Sequence, residues 1–392
     1  RSRPNAQTAH LLRDAALLVV SPEAQRDPER LHAAFERLRS YPGLYRVACR
    51  GVKPFRAVTR HADVVSVERR SRTFAAAPRT ILSSDAVEAE LRLLSGKPQI
   101  IRGLTHMDEP DHSAYRTVIQ PWFTPAALGS LQSRLAEWAA SLVDAIGKRA
   151  GHCDFAHDLA VPLTLRVITH LLGIPRSDIP RLRKLAGGFA GAEDPKRRLA
   201  VSPTDSIHLA MLGFRDYFDS LVADRRARPR GDLSCAIANA TVHDKPIPYY
   251  EALSNFVLIT TAGHDTTAFA LTGGLHALIE FTDRLAHLLR NPHLLGSAIE
   301  EMLRWTTPVR HFLRTATADA EVGGTRVRAG ECLALFFDSA NRDETMFPNP
   351  GAFEVGRTPI RTWPSGLDRI SASGISSRGS RCVRSSVSCF PD

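Results

Sequence analysis

The spacing of apolar residues changes period along the chain. Leu31–Arg39 carries them at helical spacing, Phe55-Arg56-Ala57-Val58-Thr59 alternates with period two and predicts a strand, and Asp63–Glu68 returns to helical spacing. From Thr124 to Val222 helical patterning dominates, punctuated by Pro125, Pro162, Pro175, Pro180 and Pro203 at positions suited to first turns and loops. The polar Arg225–Asp232 stretch reads as a loop. Tyr249 to Phe281 is apolar nearly all round, which predicts a long helix in the middle of a large domain. A further helix over about Pro292 to Arg304 stops before Pro308. Short strand-like pieces follow at Ala320–Val327 and Cys332–Phe337. No repeat of about 20–50 residues is visible. The prediction is a mainly α fold with small β sheets.

Composition narrows the class. At 392 residues, 43% hydrophobic and 23% charged, the chain has ample material for a globular core. No apolar run approaches the roughly 18 residues a membrane span requires, and Ala16–Val20 is too short for a signal-peptide core. The chain begins at Arg1 without Met, which leaves room for an upstream segment. Six scattered cysteines (Cys49, Cys153, Cys235, Cys332, Cys382, Cys389) show no metal-binding or disulfide framework and suit a reducing cytoplasm. The net charge of +10 rests on 51 basic residues, of which six are Lys. The clusters Arg69–Arg72, Lys196–Arg198 and Arg225–Arg230 are short and lack interleaved aromatics, so solvated basic faces are expected in place of nucleic-acid binding.

Three motifs carry candidate chemistry. In the long helix, Thr261-Ala262-Gly263-His264-Asp265-Thr266-Thr267 sets an acid and three hydroxyls among apolar neighbours. Buried polar groups need partners, and threonine can bond back to the carbonyl four residues earlier. The segment reads either as a tolerated irregularity or as a groove where Asp265 and Thr266 face a ligand. Glu301 and Arg304 share a helix face, which by itself describes an ordinary surface pair. His112 and Arg116 likewise share a face just after Pro110.

In order and spacing, these motifs resemble the cytochrome P450 family of haem-thiolate monooxygenases, from about Asp27 to Arg357. Ala262–Thr267 resembles the oxygen-activation segment, and Glu301-Met302-Leu303-Arg304 resembles the ExxR motif of a buried structural network. His112, Arg116 and Arg314 match residues that meet the haem propionates, while Asn341-Arg342-Asp343 and Phe353–Arg357 match the stretch before the haem loop. Leu104–Asp108 and Trp122-Phe123 are similar to bacterial terpene-alcohol hydroxylases. The resemblance implies a helical prism with one catalytic domain over residues 1–357, haem b as cofactor, and hydroxylation of a small hydrophobic, terpenoid substrate with O2. It assigns Asp265 and Thr266 to catalysis by proton delivery, Ala262 and Gly263 to the cofactor face, and Glu301 and Arg304 to structure. Ferredoxin and ferredoxin reductase are the implied electron donors, with no nucleic-acid or membrane partner.

The family's axial ligand is a cysteine in an FGxGxHxCxG loop, and its thiolate favours O–O cleavage. Nothing after Arg357 shows that pattern. Residues 358–392 contain nine Ser and five Arg, as a disordered tail does. The codons suggest another origin. If one nucleotide is missing near Thr358–Ile360, each intended codon joins the third base of one present codon to the first two of the next. Trp363 and Pro364 then give alanine, and the following steps permit F-G-S-G-P-H-L-C-L-G in register. The cysteine codon would straddle Ser371 and Ala372, leaving Cys382 and Cys389 as products of the wrong frame. A chain truly so shifted lacks its iron ligand and is expected to be inactive, to fold poorly and to bind haem weakly. Two other readings stay open: a decayed relative binding an apolar ligand without catalysis, and a basic helical nucleic-acid binder.

Overall fold

The computed structural model describes residues 6–21, 23–148 and 152–358. Ser371, Ala372, Cys382 and Cys389, and with them the readings of the C-terminal tail, lie outside the described residues. The described residues divide into two compact units, one formed by those up to Ile100, Thr105–Glu109 and Val309–Ala352, the other by Ile101–Leu104, Pro110–Pro308 and those from Phe353 to Thr358.

The first unit is built on a five-stranded sheet in the order Tyr45–Cys49, Val52–Val58, Cys332–Phe336, His311–Ala316, Phe74–Ala75. The alternating stretch at 55–59 falls largely in Val52–Val58, which runs parallel to Cys332–Phe336 with Ala57 opposite Ala334. All five residues of Cys332–Phe336 are buried, as its unbroken apolar run requires of a strand covered on both faces. His311–Ala316, which has no clear strand pattern, is fixed by antiparallel pairing with that central strand. Helices Ala6–Leu18 and Pro28–Ser40 contribute Leu12, Leu31, Phe35 and Leu38 to a core shared with Phe55, Leu313 and Phe336. The expected strand over 320–327 is a hairpin, Ala320–Val322 with Thr325–Val327, turned by Gly323 and Gly324 at φ +54° and +70°.

The second unit is helical. Its centre is the 32-residue helix Tyr249–Glu280, matching the predicted span to within one residue. Helices Val161–Leu171, Pro203–Ala227 and Leu295–Thr306 pack against it. Pro162, Pro180 and Pro203 all sit in first turns, where proline's missing N–H costs nothing. Stacked rings tie Pro203–Ala227 to the central helix: Phe214 lies 5.8 Å from Phe218, and Phe218 lies 4.6 Å from Phe256. The predicted loop at Arg225 begins later than expected, because the helix runs on to Ala227. Arg225 is not part of a solvated face. It is buried, donating from Nε to Asp232 Oδ2 at 2.7 Å and from Nη2 to the Gly173 carbonyl at 2.7 Å. Phe353 and Val355 close a core with Ala277, Leu278 and Met302. Among the described residues no helix is long and apolar enough to cross a membrane.

Candidate functional site

The polar segment of the central helix is built from back-bonded hydroxyls and one paired carboxylate. Thr261 Oγ1 donates to the Val257 carbonyl at 2.7 Å and Thr266 Oγ1 to the Ala262 carbonyl at 2.8 Å. Each bond satisfies a hydroxyl that the apolar surroundings would otherwise penalise. Asp265 is buried at 8% exposure, and one Arg197 nitrogen, Nη2, donates to both of its carboxylate oxygens at 2.9 Å. Arg197 belongs to the basic cluster expected to face solvent. It folds back over the helix instead, with its guanidinium 5.9 Å from the Phe269 ring. His264 is buried beside it, Nδ1 2.6 Å from the Thr260 carbonyl and Nε2 3.3 Å from Asp265 Oδ1.

Around these groups, Thr260, Thr261, His264, Asp265 and Ala268 are buried, while Leu258, Ala262, Thr266 and Ala270 are each partly exposed at four-residue intervals. That spacing places the four on one face. Gly263 lies off this stripe: a Cβ there would meet Ile168 Cδ1 at 2.6 Å, so its lack of a side chain lets helix Val161–Leu171 approach.

A second assembly surrounds Glu301, which is completely buried together with Arg304. Glu301 Oε2 accepts from Arg304 Nε at 2.7 Å and Arg357 Nε at 3.1 Å. Its Oε1 accepts from Arg304 Nη2 at 2.8 Å and the Glu354 amide at 2.8 Å. The spacing that alone describes a surface pair is here a desolvated network joining helix Leu295–Thr306 to the 353–357 segment.

His112 and Arg116 stand one turn apart on helix Asp111–Ile119, with His112 buried. That helix is anchored through Asp111, which pairs with Arg102 and with His243 Nε2 at 2.8 Å. Both contacts hold the Asp111 carboxyl below its ordinary range, Arg102 most strongly. Arg314 belongs to the other unit, on strand His311–Ala316, where its Nη2 lies 2.9 Å from Glu68 Oε1.

The family model for cytochrome P450 matches residues 282–357. Across a longer span, the chain is 34% identical over 355 residues to cytochrome P450-terp of a Pseudomonas species, covering 88% of this chain and 83% of that protein. The chain belongs to the cytochrome P450 family. It is also 31% identical over 332 residues to linalool 8-monooxygenase of Pseudomonas putida, covering 84% and 80% of the two chains. The crystal structure of CYP108D1 from Novosphingobium aromaticivorans superposes with a TM-score of 0.86 at 28% identity, covering 96% of this chain and 90% of that one. The mainly α architecture with small sheets is therefore that of a P450.

P450 enzymes carry haem b. The distal residues of this chain fit it: the Ala262–Thr266 face offers small side chains to a flat ring, and His112 and Arg116 supply donors for carboxylates. None of the cysteines among the described residues fits as axial ligand. Cys332 is inside the sheet, and burial pushes its thiol up to about 11, so it stays protonated at neutral pH. Burial also raises Cys49; Cys235 is engaged by Asn239, and Cys153 is exposed at the surface.

Sequence reasoning missed Arg197, Arg357 and His264. Arg197 was hidden in a basic cluster, because nothing local shows that it reaches a carboxylate 68 positions later. For His264, the available signal was a titratable ring inside an apolar helix.

Proposed function

We propose that the coding frame continuous with residues 1–357 specifies a haem-dependent monooxygenase that hydroxylates a small hydrophobic substrate of the terpenoid class. Residues 1–357 form its catalytic domain, incomplete as written. The observation that carries this reading is the buried Asp265 carboxylate, clamped by Arg197 and followed directly by Thr266 on a partly exposed face of the central helix. The haem supplies oxygen activation when bound. The chain's own residues supply the rest. Asp265, held by Arg197 and next to Thr266 in the chain, is the residue that moves protons as a general acid. Thr266 Oγ1, now donating to the Ala262 carbonyl, is the hydroxyl nearest that carboxylate in sequence and presents it to the open face. His112 and Arg116 would hold propionates through charge-assisted bonds; Arg314, matched by the resemblance to the same task, stands in the first unit paired with Glu68. Ala262 would keep the helix thin on the cofactor face, whereas Gly263, expected there too, instead makes room for Ile168 of helix Val161–Leu171.

The terpenoid class is supported by the names of the relatives, P450-terp and linalool 8-monooxygenase. Electrons come from a ferredoxin and its reductase, drawn to a chain whose residues 1–357 carry 46 Lys and Arg against 39 Asp and Glu, and the enzyme works in the cytoplasm. The out-of-frame reading of 358–392 is supported by the family match ending at residue 357.

The test is to resequence codons 355–392, then express the chain with and without one nucleotide restored near codon 358. The restored protein is expected to give the reduced, CO-bound absorption band of a haem thiolate and a spectral shift with linalool-type alcohols; the chain as written gives neither. No band from the restored protein would refute the monooxygenase reading. A band with no response to any terpenoid would refute only the substrate class.

A further inference from the structure

His264 has a hydrogen-bonding pattern that the proton-delivery reading of Asp265 and Thr266 does not use. A carbonyl oxygen only accepts, so at 2.6 Å from the Thr260 carbonyl His264 Nδ1 carries the hydrogen. In the neutral ring Nε2 therefore carries the lone pair, and it lies 3.3 Å from Asp265 Oδ1, at ion-pair distance. A carboxylate also only accepts. Two acceptors thus lie side by side, and the contact becomes attractive only when the ring takes up a second proton.

We propose that His264 and Asp265 form a proton-holding pair, with His264 as the positioning residue that recharges Asp265. In the loaded state an imidazolium faces an ionised Asp265 through Nε2. The Nε2 proton crosses to the carboxylate, and the carboxyl so formed releases one proton on its Thr266 side and is ionised again. The ring is then neutral with its Nδ1 hydrogen still on Thr260, and the pair reloads with one proton from solvent at Nε2. Nδ1 remains a donor in both states.

The charges around the ring set when loading occurs. Burial lowers the imidazolium's pKa, the Asp265 charge and the Thr260 carbonyl raise it, and Arg197 and Arg183 lower it, for a net displacement below the ordinary histidine value. Arg183 lies on helix Ile179–Ala190 and Arg197 in the segment that follows it. Arg197 therefore acts on both members of the pair, contacting Asp265 directly and disfavouring charged His264.

This inference deepens the proton-delivery reading, and its test does not depend on oxygen chemistry. The full chain is labelled with 15N-histidine, and His264 is assigned by the resonance missing from His264→Gln. At pH 8, Nδ1 is expected to be the protonated nitrogen and Nε2 the bare one, with acidification changing Nε2 alone. Asp265→Asn is expected to lower the His264 midpoint by about one pH unit, since an ionised neighbour is worth about that or more; Arg197→Gln is expected to raise it. Protonated Nε2 at pH 8, or a midpoint unmoved by Asp265→Asn, overturns the pair. The two substitutions act in opposite directions, so a general loosening of the fold cannot imitate the result. Failure of the monooxygenase reading shows separately, as a missing CO band in the frame-restored protein, and leaves the titration standing.

Discussion

Replacing Glu301 with glutamine tests how much of this fold rests on one carboxylate. The substitution preserves shape but turns one oxygen into an NH2 group. Each oxygen accepts two hydrogen bonds: Oε1 from Arg304 Nη2 and the Glu354 amide, Oε2 from Arg304 Nε and Arg357 Nε. Whichever way the amide turns, it sets two donors against a donor. The negative charge opposing Arg304, at 0% exposure, disappears as well. Removing one partner of a buried ion pair costs about 3–5 kcal/mol, chiefly because the other is left uncompensated. With a urea dependence of about 3 kcal/mol per molar for a unit of this size, the unfolding midpoint falls by about 1–1.7 M. The assay is urea denaturation followed by Trp fluorescence, since the Arg304 guanidinium lies 5.8 Å from the Trp305 ring. Glu354→Ala is the internal comparison. It removes only the half-exposed pair with Arg284, and its cost stays below about 1 kcal/mol. A midpoint shift for Glu301→Gln no larger than that of Glu354→Ala would refute the argument.

Acidification should weaken the first unit in two separate windows. Burial, and secondarily Arg310, depress His311 to about 4, and its Nε2 accepts from the Leu82 amide at 3.0 Å. The unfolded state binds that proton first, so stability declines as pH falls from about 6.5 to 4; urea midpoints across this range should decline less in His311→Gln. Asp338 behaves as an acid: burial opposes its charge, but Arg342 and His32 hold it down at about 2. Its contribution is therefore present above about 4 and lost toward pH 2, as Asp338→Asn would show by a flatter acid limb. Thiol labelling at pH 8 with a chromogenic disulfide should modify Cys153 quickly and Cys332 only on unfolding, and fast native labelling of Cys332 would contradict its place in the sheet. In a frame-restored, haem-loaded enzyme, Asp265→Asn should reduce product formation by about 10²-fold or more, whereas an unchanged rate would remove Asp265 from the proton path.

Much of the second unit was readable in the sequence because its signals are local. The central helix announces itself by an apolar run too long for a strand, and the prolines mark helix starts through their own missing N–H groups. His311–Ala316 was not readable, because its His, Arg and Thr residues follow no alternation and pairing with Cys332–Phe336 decides its conformation. The site divides the same way. Ala262, Asp265 and Thr266 could be read from one stretch, and Glu301 with Arg304 from another. Their partners Arg197 and Arg357 lie 68 and 56 positions away, distances at which a charge gives no clue to what it will meet. Arg197, expected to face solvent, is instead committed to a carboxylate.

Among the described residues, Arg357 is both the last partner of Glu301 and the last residue of the family match. All the hydrogen-bonding partners described for Glu301 lie at or before that position. Residue 357 is thus a natural suture for chimaeras. A haem loop and the segments after it, taken from a relative such as P450-terp, can be joined here without separating Glu301 from its described partners. The first 357 residues become a recipient scaffold, in which different donor loops can be compared against a constant distal helix.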